Sequence, residues 1–142
     1  MKESNLFTLI ISGPIVSWQR ARTGRGHMYV PKKSMEWRKK IQHIAWNKLR
    51  AIGANLHETY YGDNPIRMDI TCYFKPPKKF KGVIPEYCIG RMDRDNIEKG
   101  IMDSLQGIMY DNDKQVVAGY TEKRYAVCSD EFIKIDMKMI GV

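Results

Sequence analysis

Cysteines are few in this sequence, and long apolar runs are absent. The three cysteines lie far apart among 142 residues and form no zinc-binding pattern with the three histidines. This usage disfavours a disulfide-rich secreted fold and predicts a reduced, cytoplasmic protein. No apolar run approaches the ~20 residues of a membrane span. The short apolar run near the start breaks at Gly13 and Pro14 and lacks a basic segment before it, so no signal peptide is predicted.

Acidic residues are also scarce, except in one segment. The chain has 24 Lys and Arg against 16 Asp and Glu, for a net charge of +8. Six of the 16 acids lie within residues 91–113, and the remainder carries 21 basic and 10 acidic residues. A positive field attracts polyanions, so nucleic acid is the first expected partner and an anionic membrane surface the second.

The hydrophobic patterns predict one α+β domain over residues 1–142, with a mixed sheet and about two packed helices. Strands are predicted at residues 6–13, 66–74, 116–125 and 133–139. Helices are predicted from Ser34 to about residue 50, and from about residue 96 to 106 with Asp95 or Asn96 as the cap. Residues 14–33 are expected to form a loop or irregular hairpin, and residues 75–90 a mobile basic loop.

The acidic segment suggests a site for a divalent cation. Asp93 and Asp95 are two apart, so in an extended chain their carboxylates project to the same side. Positions 95, 99 and 103 lie near one helix face. Asp111 and Asp113 form a second Asp-x-Asp pair just beyond the helix, and a chain that turns back there would bring them toward Asp93 and Asp95. Hard oxygen ligands of this kind suit Mg²⁺ or Mn²⁺.

Each of these features also has an ordinary structural explanation. Aspartates are common at helix starts and turns as capping residues, and Asp103 with Lys99 is also the spacing of a surface ion pair. The segment from Asp111 resembles a calcium loop, but Val116 occupies its glycine position, which disfavours an EF-hand. Gly100 inside the helix is either a tolerated surface glycine or a point of close approach, for example by a partner subunit.

Basic residues concentrate before and within the first predicted helix. Residues 20–50 contain ten Lys or Arg and one acid, Glu36, which favours DNA contact over an ordinary solvated face. Trp18 and Tyr29 either stack on bases or pack, whereas Trp37 lies on the apolar stripe of the helix.

One long motif resembles a known family. The stretch "DRDNIEKGIMDSLQGIMYDNDKQVV" is similar to the pattern of the RusA family of Holliday junction resolvases, which are crossover junction endodeoxyribonucleases. The segments "SGPIVSWQRAR" and "YVPKKSMEWRKKI" resemble the opening of that family more loosely. The resemblance implies a small α/β fold and a homodimer that cuts four-way junction DNA symmetrically with Mg²⁺, for which Mn²⁺ may substitute, in DNA recombination and repair. It also implies a bacterial or phage-encoded protein.

The resemblance also implies roles for individual residues. The catalytic positions fall on Asp93, Asp95, Asp113 and Lys99. The same three aspartates are the implied metal ligands, and Asp111, Asn112 and Asp103 are further candidates. Asn112 departs from the family pattern, which has an acid there, and Asp111 is a candidate to compensate. The candidate DNA-binding residues are Arg20, Arg22, Arg25, Lys32, Lys33, Lys39, Lys40, Arg91 and Arg94.

Other classes of function fit parts of the pattern. A non-catalytic, structure-specific DNA-binding protein would share the basic surface but need no metal. A less selective Mg²⁺-dependent nuclease would cut flaps or duplex as readily as junctions. A calcium-dependent interaction protein would bind Ca²⁺ without DNA.

Overall fold

The protein is built from seven strands and two helices within the part of the chain that the structure describes. This computed structural model describes residues 6–18, 22–24 and 26–141, with the backbone alone at positions 22, 23, 27 and 28. In chain order the elements are β1 (Phe7–Ser12), β2 (Arg22–Gly24), β3 (His27–Tyr29), α1 (Lys32–Ala51), β4 (Ile66–Phe74), α2 (Arg94–Leu105), β5 (Val116–Ala118), β6 (Thr121–Tyr125) and β7 (Phe132–Met139).

Five strands form one mixed sheet with β4 at its centre. Strand β7 pairs antiparallel with β1 on one side and with β4 on the other. Both β5 and β6 run parallel to β4 along its remaining edge. Helix α2 connects β4 to these parallel strands, as a crossover connection requires. Strands β2 and β3 form a separate antiparallel hairpin, so the hairpin expected within residues 14–33 is present.

Alternation along the strands decides which face of the sheet is buried. In β4 the apolar residues at positions 66, 68, 70, 72 and 74 are all buried, and the same holds for Ile133, Ile135 and Met137 in β7. Helix α1 contributes Trp37, Ile41 and further apolar residues to the same core, and α2 contributes its own stripe. The predicted α+β class, with one mixed sheet and two helices, is therefore confirmed.

Two helix starts differ from the predicted ones. Helix α1 begins at Lys32 after Pro31, and Ser34 lies buried in the first turn instead of capping it. Helix α2 begins at Arg94, with Asp93 as the residue before it in an extended conformation. Asp, Asn and Ser all favour helix starts, so a run of them does not identify which one precedes the first turn.

The strand predicted over residues 116–125 is in fact two strands. The break falls at Gly119 and Tyr120, where the Ile70 amide donates to the Tyr120 carbonyl and the Tyr120 amide donates to the Asp69 carboxylate. Gly119 has φ +137°, and a Cβ there would lie 1.8 Å from the Met68 carbonyl oxygen. Only glycine allows this close approach of the two backbones.

Residues 75–90 form a loop, as expected, and its later part is paired with β6. The Cys88 amide donates to the Lys123 carbonyl at 2.9 Å, and Tyr87 forms a bridge with Arg124. These contacts fix the course of the chain just before Asp93.

Neither helix of the described residues combines the length and the apolar character that a membrane span requires.

Candidate active site

The N-terminal end of α2 carries the first Asp-x-Asp pair. Asp93 precedes the helix in an extended conformation, and Asp95 lies in the first turn, where its Oδ1 accepts a hydrogen bond from the Asn96 amide. Both side chains are exposed. Negative charge at a helix N-terminus interacts favourably with the helix dipole, so this end of α2 tolerates its two carboxylates without a further partner.

The C-terminal half of α2 brings two carboxyl groups together. Asp103 and Asp113 are both half-buried, and their side chains lie within hydrogen-bonding distance of each other. Burial raises the pKa of Asp103, the nearby Lys99 opposes that shift, and the charge of Asp113 adds to it. A hydrogen bond between two carboxyl groups requires a shared proton, so this pair is poorly satisfied as two anions.

A tight turn after α2 positions Asp113. The Asn112 side chain accepts from the Lys114 amide, and the Gln115 side chain accepts from the Asn112 amide, which together form a capping box over a 3₁₀ turn at Asp113–Gln115. The Asp113 amide donates to the Gln106 side chain at 3.0 Å. The chain therefore turns back onto α2, as the sequence predicted, but it meets Asp103 in the last turns of the helix.

Tyr110 is buried close to Asp103 and Asp113. Its hydroxyl donates to the Met102 carbonyl at 2.6 Å, and its ring is fully buried. Burial raises the pKa of Tyr110, and the charges of Asp113 and Asp103 raise it further. The phenol therefore stays neutral, and its hydrogen bond to α2 fixes its position near the two carboxyl groups.

Positive charge comes from both helices. Lys99 is one turn before Asp103 on α2, and Arg38 on α1 also lowers the pKa of Asp103 through its charge. The Arg38 guanidinium lies 6.0 Å from the centroid of the Trp18 ring, and Trp18 packs against Gly100. A Cβ at Gly100 would lie 2.9 Å from the Trp18 Cβ. This neighbour belongs to the same chain, so Gly100 no longer supports a partner subunit at this position.

The predicted metal ligands do not form one compact group in this structure. A rise of about 1.5 Å per residue separates the Cα atoms of Asp95 and Asp103 by about 12 Å, too far for one ion to bind both carboxylates directly. Among the residues that the structure describes, no group of three or more Asp, Glu, His or Cys converges as a metal site. Asp103 and Asp113 do lie close enough to interact directly, although they are ten residues apart in the chain.

The side chains of Asp111 and Asn112 both make hydrogen bonds within the chain. The Thr59 hydroxyl donates to Asp111 Oδ1, and the Asp111 amide donates to the Gly62 carbonyl, so Asp111 is tied to the loop after α1. The Asn112 side chain is occupied by the capping box. Their inclusion among the metal ligands stays a prediction, and each already has a structural partner.

The candidate DNA-binding residues fall into three groups. Lys32, Lys33 and Lys39 are exposed on α1. Three others make contacts within the chain: Lys40 with the Ser12 carbonyl, Arg94 with the Thr121 carbonyl, and Arg91 with Glu131. Arg20, Arg25 and the side chain of Arg22 lie outside the described residues.

Two residues near the site were not singled out from the sequence. Arg38 was counted only as part of a basic helix face, and its location near Asp103 depends on how α1 packs on α2. Glu131 is half-buried and binds three segments at once: it pairs with Arg91 at 2.5 Å and accepts from the Ile15 and Lys75 amides. No local motif marks a residue that acts by joining distant segments.

Comparison with known proteins identifies the family. The family model described as endodeoxyribonuclease RusA matches residues 13–136, most of the chain, and includes α1, α2 and every acidic residue discussed above. A comparison with curated proteins finds no match. The match includes every described strand of the sheet except β1, which lies wholly before it, and the last three residues of β7. This chain therefore belongs to the RusA family of endodeoxyribonucleases.

Proposed function

We propose that the protein is a Mg²⁺-dependent endonuclease that resolves four-way DNA junctions by paired, symmetric cuts, and that it acts as a homodimer. The observation that carries the proposal is the concentration of carboxylates at α2 within a RusA-family chain that is otherwise strongly basic. A DNA-binding protein without catalysis would gain nothing from half-buried, mutually repelling carboxylates.

The donor chemistry of the site fits magnesium. Asp103 and Asp113 present paired carboxylate oxygens; burial raises the pKa of Asp103, and the nearby charge of Asp113 raises it further. Asp113 and Asp103 would hold the ion at the end of α2, and Asp93 and Asp95 would hold one at its start. A bound Mg²⁺ supplies a Lewis acid for phosphate and lowers the pKa of bound water.

The positive side chains have a separate role in this proposal. Lys99 lies between the two pairs of aspartates, exposed, in the middle of α2. Arg38 is held against the ring of Trp18, which limits the rotamers that its guanidinium can adopt. Together they would bind the scissile phosphate and stabilise the charge that develops on its oxygens.

The exposed face of α1 provides a surface for the rest of the DNA. Lys32, Lys33 and Lys39 are exposed along this helix, and Lys32 makes one weak contact with Glu36 at 3.9 Å. The helix packs directly against α2, so DNA lying along it would pass close to Lys99 and Asp103. Phosphate contacts of this kind position DNA without reading its sequence.

Cleavage assays with branched and linear DNA test the proposal. Labelled four-way junction, duplex and flap of matched sequence are each incubated with Mg²⁺ or EDTA, and the positions of the cuts are mapped on all four strands. We expect cuts at symmetric positions on two opposed strands of the junction, with Mg²⁺ only. Sedimentation of the protein without DNA should show a species of twice the 16.6 kDa chain.

Three results would replace the proposal. Tight junction binding without cleavage, with either Mg²⁺ or Mn²⁺, would indicate a structure-specific binding protein. Equal cutting of duplex, flap and junction would indicate a less selective nuclease. A monomer at micromolar concentration in sedimentation would contradict the homodimer, because paired cuts need two sites related by the symmetry of the junction.

A further inference from the structure

A groove lined by aromatic and basic residues lies beside the start of α2. It has a volume of about 700 Å³ and lies between the loop after β4 and the end of β6. We define it as the aromatic groove, with Phe80, Tyr87 and Tyr125 as its rings and Lys75, Lys79 and Arg91 as its charged residues. Gly90 and Arg91 line the groove, three and two residues before Asp93. The groove therefore adjoins the proposed site but shares no residue with the aspartates.

The rings of the groove are held in place and remain accessible. Phe80 and Tyr125 meet edge to face, with centroids 5.4 Å apart and planes at 71°. Tyr87 is 50% exposed and lies 4.8 Å from the Arg124 guanidinium on one side. Backbone pairing between the loop and β6 at positions 86–88 holds Tyr87 in this arrangement.

Charge in the groove favours an anionic occupant. Residues 75–91 contain five basic residues and one acid, Glu86, which is already paired with Arg124 at 2.6 Å. Arg91 is paired with Glu131, but the ammonium group of Lys79 lies 5.5 Å from the Phe80 ring, at the mouth of the groove. Flat aromatic faces beside lysines suit a nucleotide, whose base stacks while its phosphate meets the positive charge.

The exposed apolar residues nearby support a large ligand. Ile89 is 97% exposed and Val83 is 89% exposed, both on the same loop. Single exposed apolar residues are ordinary, but Ile89 lines the groove, whose volume is in the range that binds drug-sized molecules.

We propose that the aromatic groove captures an unpaired nucleobase of the DNA next to the cleaved phosphate. A fully paired duplex keeps its bases stacked inside the helix and offers none to the groove, whereas a branch point offers unstacked bases. The groove would therefore favour branched DNA over duplex. This proposal rests on the proposed function, because it assumes that DNA is the substrate.

Binding measurements in EDTA test the groove separately from cleavage. The probes are a duplex with one unpaired nucleotide and the same duplex fully paired, each compared by fluorescence anisotropy. Tyr87→Ala should weaken binding of the bulged duplex about 10-fold or more, with fully paired duplex unchanged within about twofold. Tyr87→Phe keeps the ring and should bind like wild type. Tyr120→Ala removes an exposed tyrosine at the other end of β6 and is the matched control.

Crosslinking gives a result that does not depend on a variant. The unpaired nucleotide is replaced by iododeoxyuridine, and the wild-type complex is irradiated and mapped by mass spectrometry. We expect the crosslink at Tyr87, Phe80 or Tyr125. A crosslink elsewhere, or bulged-duplex binding by Tyr87→Ala equal to that of wild type, would overturn the groove proposal even if the junction is cut normally. Failure of wild type to bind any DNA would instead overturn the proposed function.

Discussion

The two ends of α2 hold similar side chains under opposite physical conditions. At the start of the helix, Asp93 and Asp95 are exposed and interact favourably with the helix dipole. Near its end, Asp103 and Asp113 are half-buried, close together and at the negative end of the dipole. The first pair is stable as an ordinary helix start, so it is weak evidence for function by itself. The second pair has an electrostatic cost that capping cannot explain.

The largest expected effect comes from removing carboxylates at either end. Asp95→Asn and Asp113→Asn each remove one negative charge with almost no change in volume. We expect junction cleavage to fall at least 10³-fold, because an amide is a weaker magnesium ligand, while junction binding in EDTA persists or tightens. Cleavage rates and anisotropy on the same samples check this, with circular dichroism to confirm folding.

Asp111→Asn is the matched control for these variants. Its carboxylate is tied to Thr59, away from Asp103, so the rate should change little. A severe loss of rate with Asp111→Asn would show that Asp111 replaces the missing acid at Asn112. If Asp95→Asn cleaved junctions at the wild-type rate and Asp113→Asn did not, Asp93 and Asp95 would serve only as a helix start. Cleavage would then depend on the second pair alone.

Lys99 lies between the two pairs of aspartates, so substituting it tests whether both pairs act on the same phosphate. Lys99→Ala should lower the cleavage rate by about 10²–10³, equal to roughly 2.7–4 kcal/mol of transition-state stabilisation, with little change in binding. Lys99→Arg retains the charge and should recover part of the rate. An unchanged rate for Lys99→Ala would leave Lys99 as no more than a charge partner for Asp103.

Glu131 tests how the start of α2 is held. The Arg91 guanidinium and two backbone amides lower the pKa of Glu131 in spite of its burial. A lowered pKa gives stability that is present above 4.5, the ordinary pKa of a glutamate side chain, and is lost as pH falls through the lower pKa of the folded state. Glu131→Gln should reduce the free energy of unfolding at pH 7 by about 1–2 kcal/mol, with the difference from wild type shrinking in acid.

Urea denaturation of both proteins from pH 7 to pH 4 measures this difference. A constant difference across that range would mean that the Glu131 charge contributes nothing and that only its shape matters.

The smallest effect concerns the approach of DNA along α1. Lys33→Ala with Lys39→Ala should lower the steepness with which junction binding weakens with salt, by about two released counterions. Lys32 and Glu36 stay in place, and Lys40 is left intact because it contacts Ser12 within the chain. Anisotropy titrations at several salt concentrations give the slope. An unchanged slope would move the DNA surface to the loop at residues 75–81.

Many of the strands could be predicted from the sequence, because the local alternation of apolar and polar residues decides where they form. Strand β4 matches the predicted residues, and β7 begins one residue earlier than expected. The break at Gly119 was missed because it depends on contact with the Met68 backbone of another strand. The helix starts were misplaced because several neighbouring residues are equally good caps.

The site was harder to predict, since its geometry depends on tertiary packing. The aspartates and Lys99 were predicted as site residues from their pattern and from the family resemblance, and their roles stay a prediction. The turn at positions 106–112 decides that Asp113 meets Asp103. Arg38 reaches the site only because α1 packs on α2, with Trp18 on Gly100 between them. No local spacing encodes either contact.

Thermal unfolding of wild type and Asp103→Asn, each in EDTA and in Mg²⁺, tests the central claim most directly. The raised pKa of Asp103 means that its charge costs stability above the folded value, so in EDTA at pH 7 the variant should melt higher than wild type. Mg²⁺ at 10–100 times its dissociation constant should stabilise wild type by about 1.4–2.7 kcal/mol, a few degrees, and the variant much less. A variant that melts lower in EDTA, with no effect of Mg²⁺ on wild type, would contradict the account.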